Sequence, residues 1–386
     1  MAIPIVYNLR SVRARWVSAI VAVLGIAGTV GVFVAMLAMA RGFRATLVSS
    51  GSADNAIIRR AGSTGEIDGA VGLDQVRVIQ DAPGIAREGG QPLVSPEVVV
   101  IAAFPLKATG TDANVQVRGV VPGVMQIRRN IHIVQGRFFQ PGLAELVVGR
   151  NVPATYAGLN LGDSIRFGGG TWKVVGVFDA GGSAYESEIW SDVNQMASDF
   201  DRQGGYSSAY LRATDAIAAD ALKNRVSDDQ RLKLEGMLET DYYAKQTNSG
   251  APIKIIGIVV AIIMAVGSSF AAMNTMYAAV AYRGREIATL RVLGFSRPAI
   301  LTSFVLESLM LALLGAIAGI LLMLPFNGMQ TGTSNAVTFS EVVFSLQITP
   351  MVAASAILFA LIMGLLGGFA PAWHAARQNI LTALRG

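Results

Sequence analysis

Tyr282-Arg-Gly-Arg-Glu-Ile-Ala-Thr-Leu-Arg-Val-Leu-Gly-Phe-Ser-Arg297 lies between two long runs without charge, and its own charge decides how the chain is laid out. Four arginines, Arg283, Arg285, Arg291 and Arg297, accompany one acid, Glu286. Between two membrane spans, a short loop with that density of Lys and Arg stays on the cytoplasmic side. Wound as a helix, it puts Ile287, Leu290 and Leu293 or Gly294 on one side and Arg283, Glu286 and Arg297 elsewhere, with Gly294 as its stop. That spacing fits equally a short amphipathic helix lying against something and a solvated loop kept basic for topology.

The rest of the composition agrees with a membrane setting. Of 386 residues, 52% are hydrophobic and only 15% charged, and the mean hydropathy is +0.49, too apolar for a soluble protein of this size. There is no cysteine, which excludes disulfides, thiolate metal sites and a Cys nucleophile. The two histidines, His132 and His374, are far apart in sequence and fall in different compartments, which argues against a His metal cluster or a Ser-His-Asp relay. The formal charge of +5 divides by compartment. Arg10, Arg13, Arg15, Arg377, Arg385 and the four loop arginines against Glu286 give the inner segments a strong positive excess, while residues 41–251 are slightly acidic. The basic balance reports topology rather than nucleic-acid binding.

Residues 1–15 are basic, and 16–40 carry no charge. As a helix that run is about 37 Å long, enough for a ~30 Å hydrocarbon core and longer than the usual core of a cleavable leader. It is expected to be a retained first span with the N-terminus inside. Further uncharged runs place spans at 253–281, 298–325 and 346–373, leaving 282–297 and 374–386 inside and 326–345 as an outer loop. Gly315 with Gly319, and Gly364 with Gly368, are small-residue pairs that allow close helix approach, within one bundle or between two copies. Glu307 is an acid inside a span. Such a residue is costly without a partner, and the expected partner is an arginine of the 282–297 loop.

Between the first two spans, 41–250 has charges of both signs, frequent Gly and Pro, and no spanning run. Strands are expected at 55–59, 93–104, 207–212 and 231–238 and helices at 74–80 and 215–226, forming two β-α-β halves around a middle of about 105–200. That middle carries strand patterns at 115–121, 131–134, 145–148, 164–167 and 171–178, with Gly168-Gly-Gly170 as a hairpin turn rather than a phosphate loop. Helical stalks are expected at 42–50 and 241–250.

Several motifs carry a family resemblance. Arg285-Glu-Ile-Ala-Thr-Leu-Arg-Val-Leu-Gly-Phe-Ser296 with Phe304-Val-Leu-Glu-Ser-Leu-Met-Leu-Ala-Leu-Leu-Gly315 resembles the FtsX-like permease domain of MacB-type ABC transporters. Leu9-Arg-Ser-Val-Arg-Ala-Arg15 and the closing Gly368-Phe-Ala-Pro-Ala-Trp-His-Ala-Ala-Arg377 resemble the two ends of that family, although Ile380 stands where a proline is usual. Gly136-Arg-Phe-Phe139, Glu145-Leu-Val-Val-Gly149 and Val174-Val-Gly-Val-Phe178 resemble its periplasmic core domain.

The resemblance implies a four-span inner-membrane protein with a large α+β periplasmic domain, a porter-like part carrying a β-rich insert. It also implies that 282–297 is a coupling helix, with Arg285, Glu286, Ile287, Leu290, Arg291, Leu293 and Gly294 docking on an ATP-binding cassette ATPase. No GxxxxGK[ST] stretch occurs, so ATP and Mg are expected on a partner polypeptide, with no cofactor, metal or catalytic residue in this chain. The implied assembly is a permease homodimer in lipid, with a periplasmic adaptor and outer-membrane channel. The implied work is export of a small molecule, peptide or lipid by mechanotransmission. Lipoprotein release as in LolC and LolE relatives, and FtsX-like signalling without transport, stay open.

Overall fold

The computed structural model describes residues 16–247, 251–335 and 337–378, with 251–254 described as backbone only. The expected inner N-terminus, the end of the second stalk and the last eight residues lie outside the described residues. In chain order the elements used below are α1 (Trp16–Val48), β1 (Asn55–Arg60), α2 (Leu73–Gln80), β2 (Val94–Pro105), β3 (Asp112–Val120), β4 (His132–Gly136), β5 (Glu145–Gly149), β6 (Ser164–Phe167), β7 (Gly170–Asp179), β8 (Ile189–Asp192), α3 (Val193–Asp199), β9 (Ser208–Arg212), α4 (Ala216–Asp228), β10 (Leu234–Leu238) and α5 (Glu239–Gln246). They continue with α6 (Ala251–Tyr282), α7 (Gly284–Val292), α8 (Arg297–Met323), β11 (Gln330–Ser334), β12 (Glu341–Ser345) and α9 (Pro350–Arg377).

The chain divides into two units. An α/β unit holds Gly42–Ala251 and Gln330–Ser345; a helical unit holds the chain up to Arg41, Pro252–Met329 and the chain from Leu346 onward. The backbone therefore passes from one unit to the other four times.

In the α/β unit, ten strands form one sheet among the described residues, in the order β10-β1-β9-β2-β3-β8-β5-β7-β4, with β6 paired to β7. The long strand β2 joins two halves. Its first residues pair with β9 (Glu97 opposite Ser208) and the remainder with β3 (Val98 opposite Gly119). Where a sequence reading left 93–104 as one bent strand or a pair, a single strand forms, because each half has its own neighbour. One face of the sheet is apolar. Ala56, Ile58, Ala209 and Leu211 pack under α2 and α4, while Val98, Val100, Val115, Val117 and Val148 continue the core toward α3. The helices begin where a side chain can take up their first free amide groups: the Asp215 carboxylate accepts from Ala218 N at 2.8 Å to open α4.

The opposite face carries Arg59, Glu97, Gln116, Arg118, Ser208 and Tyr210, all buried. Its cover includes α5, a turn of 3-10 helix at Ala184–Ser187, and the β11/β12 hairpin. The hairpin is fixed by hydrogen bonds from Asn335 to Gln246 (2.9 Å), from Asn114 to the Phe339 carbonyl (3.0 Å), and from Val343 N to Ser187 (3.0 Å). Residues 326–345 were expected as a plain outer loop and 346 as the start of the fourth span. Instead Glu341–Ser345 is a strand, and α9 starts at Pro350, behind the Thr349 cap. Proline at the first helical turn gives up no hydrogen bond and has the φ a helix needs.

Among the described residues, four helices are long and apolar enough to cross a membrane: α1, α6, α8 with the turn after it, and α9. Ile26, Val30 and Val34 of α1 meet Ala312 and Ala316 of α8 and Ala356 and Ala360 of α9. The glycine pairs are what bring these helices together. A Cβ on Gly315 would stand 2.6 Å from Ile26, one on Gly319 2.7 Å from the Ala27 carbonyl, one on Gly364 2.5 Å from the Ala312 Cβ, and one on Gly368 against the Ser308 hydroxyl. All four glycines are thus used inside one bundle. Gly368→Leu is expected to lower the unfolding free energy by at least about 1–3 kcal/mol by overpacking the α8/α9 contact. Gly267→Leu, whose Cβ would meet nothing within 4 Å, is expected to be nearly silent in the same thermal unfolding measurement in detergent.

Candidate functional site: the loop helix and its buried root

The loop between α6 and α8 is the helix α7, and both of its ends are built from local chemistry. At its C-terminal end Gly294 takes φ +94, a conformation that costs glycine little. There Gly294 N donates to the Arg291 carbonyl (3.2 Å) and Phe295 N to the Leu290 carbonyl (3.1 Å), the paired bonds of a Schellman ending. Ser296 then opens α8, its hydroxyl accepting from Ala299 N. Two helices meet across a turn of four residues, which leaves α7 little freedom at that end.

At the other end is Arg283, buried to 7% exposure. Its Nη1 lies 3.1 Å from Glu307 Oε2 and its Nε 2.9 Å from Glu286 Oε2, and the guanidinium stands 5.1 Å from the centre of the Phe304 ring. Glu307, expected to find an arginine of the loop, is therefore held by the first of the four. The ion pair sits beside an apolar cluster of Met276, Val280, Ile287, Ile300, Phe304 and Ala372.

The expected docking residues divide. Ile287 is 3% exposed and belongs to that internal cluster, so it cannot offer a face to a partner. Leu290 and Arg291 are half-buried, and Arg291 donates from Nη1 to the Phe295 carbonyl at 3.1 Å. Arg285, Glu286, Leu293 and Gly294 are exposed. Leu293 and its neighbour Val292, which the periodicity passed over, are 67% and 66% exposed. Ile287 turns toward α6, α8 and α9, because a helical period says which residues share a face and not what that face meets. What α7 presents outward is an apolar pair at its tip, with Arg285 and Glu286 behind it.

A second cluster, in the α/β unit, was not read from the sequence. Arg118 on β3 is 1% exposed and binds three carboxylates: Glu66 (2.7 Å), Glu97 (2.7 Å) and Glu188 (2.8 Å). Arg128 pairs with Glu97 at 2.6 Å and lies over the rings of Tyr210 and Tyr185, 4.1 and 4.7 Å from their centres. Burial alone would push the Glu66 carboxyl up, but Arg118 and the hydrogen bond from Ser208 hold it below the ordinary carboxylate range. Glu239, the first residue of α5, accepts from Ser52 N (2.9 Å), Asn55 (2.9 Å) and Tyr185 (2.8 Å), yet burial still holds its pKa above the usual value. The alternation of Val115-Gln-Val-Arg118 marked a strand but not that its polar face is covered.

These two parts of the chain correspond to known families. The family described as MacB-like periplasmic core domain matches residues 19–229, and the FtsX-like permease C-terminal family matches 258–380. Among curated proteins, the macrolide export ATP-binding/permease protein MacB of Hyphomonas neptunium is 25% identical over 97% of this chain and 59% of its own length. The pyoverdine export ATP-binding/permease protein PvdT of Pseudomonas entomophila is 26% identical over 96% of this chain and 58% of its own. The chain thus spans less than two thirds of these relatives. A solved structure, the periplasmic region of MacB from Actinobacillus actinomycetemcomitans, is 14% identical, covers 52% of this chain and 94% of that one, and superposes with a TM-score of 0.37. With more than half of its length matched by the first family and most of the remainder by the second, the chain belongs to the MacB-like periplasmic core domain family and carries an FtsX-like permease C-terminal region.

Proposed function

We propose that this chain is the permease part of a MacB-type ABC transporter in the cytoplasmic membrane, with α7 inside as the coupling helix. The observation that carries this reading is the shape of α7: a root fixed by Arg283 and Glu307 and a tip that leaves Val292 and Leu293 in solvent. Exposed apolar side chains at the tip of a rigid helix suit insertion into a groove of a partner. That partner is an ATPase lying outside these 386 residues, which binds ATP and Mg. Its cycle moves α6 and α8, and the four chain passages hand the motion to the α/β unit. The work is export of a small molecule, peptide or lipid by mechanotransmission, in line with the export functions in the relatives' names. Two copies form the permease, working with a periplasmic adaptor and an outer-membrane channel. The exposed Ile256, Ile263 and Phe270 of α6 meet lipid or the second copy.

Leu293→Asp tests the docking assignment. The residue is exposed, so the fold is expected to survive, while a carboxylate buried without a partner in the contact costs about 1–3 kcal/mol or more. Co-purified ATPase and permease-dependent ATP hydrolysis should fall at least about tenfold. Unchanged values for Leu293→Asp and Val292→Asp together would remove α7 from the interface. The topology is tested separately. Ser296→Cys, introduced into this cysteine-free chain, is expected to resist an impermeant thiol reagent added to intact cells. Labelling from outside would invert the arrangement.

A further inference from the structure

Of the four long helices, α6 is the one least covered by the rest of the described chain. Its exposed face runs through Ile256, Ile263 and Phe270 and ends at Asn274, one helical turn further on, which is exposed as well. Beside Asn274, residues of α1, α6 and α8 line a cavity of about 340 Å³ within the helical unit. Ser18, Asn274 and Thr275 give it polar groups, Val21 and Leu311 apolar ones, and Glu307 stands in its wall. We propose that this cavity holds the head and the first part of the chains of one inner-leaflet phospholipid whose head carries an amine.

The side chain of Asn274 makes no hydrogen bond among the described residues. A carboxamide left in that state against hydrocarbon costs about 1–3 kcal/mol. Because Asn274 is exposed, a group arriving from the side can meet both its donor and its acceptor. The hydroxyl of Ser18 is likewise exposed and makes no hydrogen bond among the described residues. Thr275 donates to the Ala271 carbonyl (3.0 Å), which leaves its oxygen able to accept. The order along α6 then names the ligand. Apolar side chains come first, the amide follows, and Tyr282, 88% exposed, stands about 12 Å beyond it. Tyrosine at the end of a span marks the level of the lipid heads. Chain, ester and head succeed one another in a phospholipid in the same order, and the volume falls within the ~300–1,000 Å³ of small-molecule sites.

The sign of the field selects the head. Among the described residues that line the cavity, Glu307 is the only charged one, so a ligand meets the carboxylate side of the Glu307–Arg283 pair. Glu307 is buried and need not touch the lipid; its charge acts through space, and more strongly at low dielectric than in water. A head with only negative charge finds no cation in this lining, whereas an ammonium group beside its phosphate is favoured. The choice of the inner leaflet rests on the orientation proposed above, with α7 inside. The cavity and its chemistry do not, and binding in detergent, where both ends of the bundle are accessible, would survive a reversal of that orientation.

The test is native mass spectrometry of the full chain, stripped of lipid in detergent and titrated with short-chain phosphatidylethanolamine or phosphatidylglycerol. Saturable binding of one phosphatidylethanolamine per chain is expected, tighter than that of phosphatidylglycerol. Asn274→Leu should weaken it about fivefold or more, the worth of one hydrogen bond, and Ala278→Trp, which puts a large ring into the cavity, should abolish it. Ile263→Ala, on the exposed face of α6 away from the cavity, should bind as wild type does. Equal or tighter binding of phosphatidylglycerol, or an affinity unchanged in both Asn274→Leu and Ala278→Trp, overturns the site. A loss of dimer in Asn274→Leu with lipid binding unchanged would assign the amide to a contact between copies, and also overturns it. Asn274 is exposed and leucine suits a span, so this variant is expected to melt at the wild-type temperature without lipid, which separates loss of binding from loss of fold.

Discussion

Arg118→Met is expected to lower the unfolding free energy of the α/β unit by about 3–5 kcal/mol, the usual cost of removing one partner from a fully buried ion cluster. On a unit of this size that amounts to a fall in melting temperature on the order of 10 °C. Methionine fills much of the same volume, so the loss is electrostatic: Glu66, Glu97 and Glu188 stay buried without the guanidinium that binds all three. The effect should depend on pH with a definite sign. The folded-state pKa of Glu66 is below its ordinary 4.5, so its contribution is present above 4.5 and is lost as pH falls through the lower folded value. Without Arg118, burial raises that pKa instead. The gap between wild type and variant is therefore widest near neutrality and narrows in acid. Melting temperatures of the full chain from pH 7 down to pH 4 would check it. A gap independent of pH would assign the loss to packing.

Arg283→Ala carries the second large effect. Its side chain holds Glu307 and Glu286 together and covers Phe304. Removing charge-assisted hydrogen bonds from a buried acid costs about 1.5–3 kcal/mol, and the cost falls on the root of α7. Two readouts are expected: a lower melting temperature in detergent, and faster tryptic cleavage after Arg285 and Arg291. Arg283→Ala combined with Glu307→Gln should regain part of the melting temperature, because the amide carries no charge into the apolar bundle. If the double variant is no more stable than the single, the ion pair is not what fixes α7.

How much of this was legible follows from the range over which each pattern acts. The long apolar runs are self-contained statements, and all four became helices, with ends displaced by a few residues. Glu341–Ser345 was left in the outer loop because a five-residue strand is too short to show a pattern of its own, and the span was begun at Leu346 although Pro350 is the local mark of its start. Glu307 advertised a partner by being an acid within a span, but spacing could not say which of four arginines reaches it. The Arg118 cluster lies beyond any local pattern. Glu66, Arg118 and Glu188 are far apart in the chain, and alternation in β3 reads the same whether its polar face meets water or a covering layer. Docking roles for Ile287 failed for a related reason: amphipathicity is symmetrical between a foreign surface and the protein's own.

The β11/β12 hairpin has a practical meaning for anyone wishing to study the α/β unit alone. A body assembled from two separated stretches of chain has no single pair of cut sites. A fragment of residues 42–251 would carry Asn114, Asn151, Ser187 and Gln246 but none of the hairpin groups that meet them. Its polar face would then be opened to solvent on one side. A fragment that keeps Gln330–Ser345 together with 42–251 retains both sides of these hydrogen bonds.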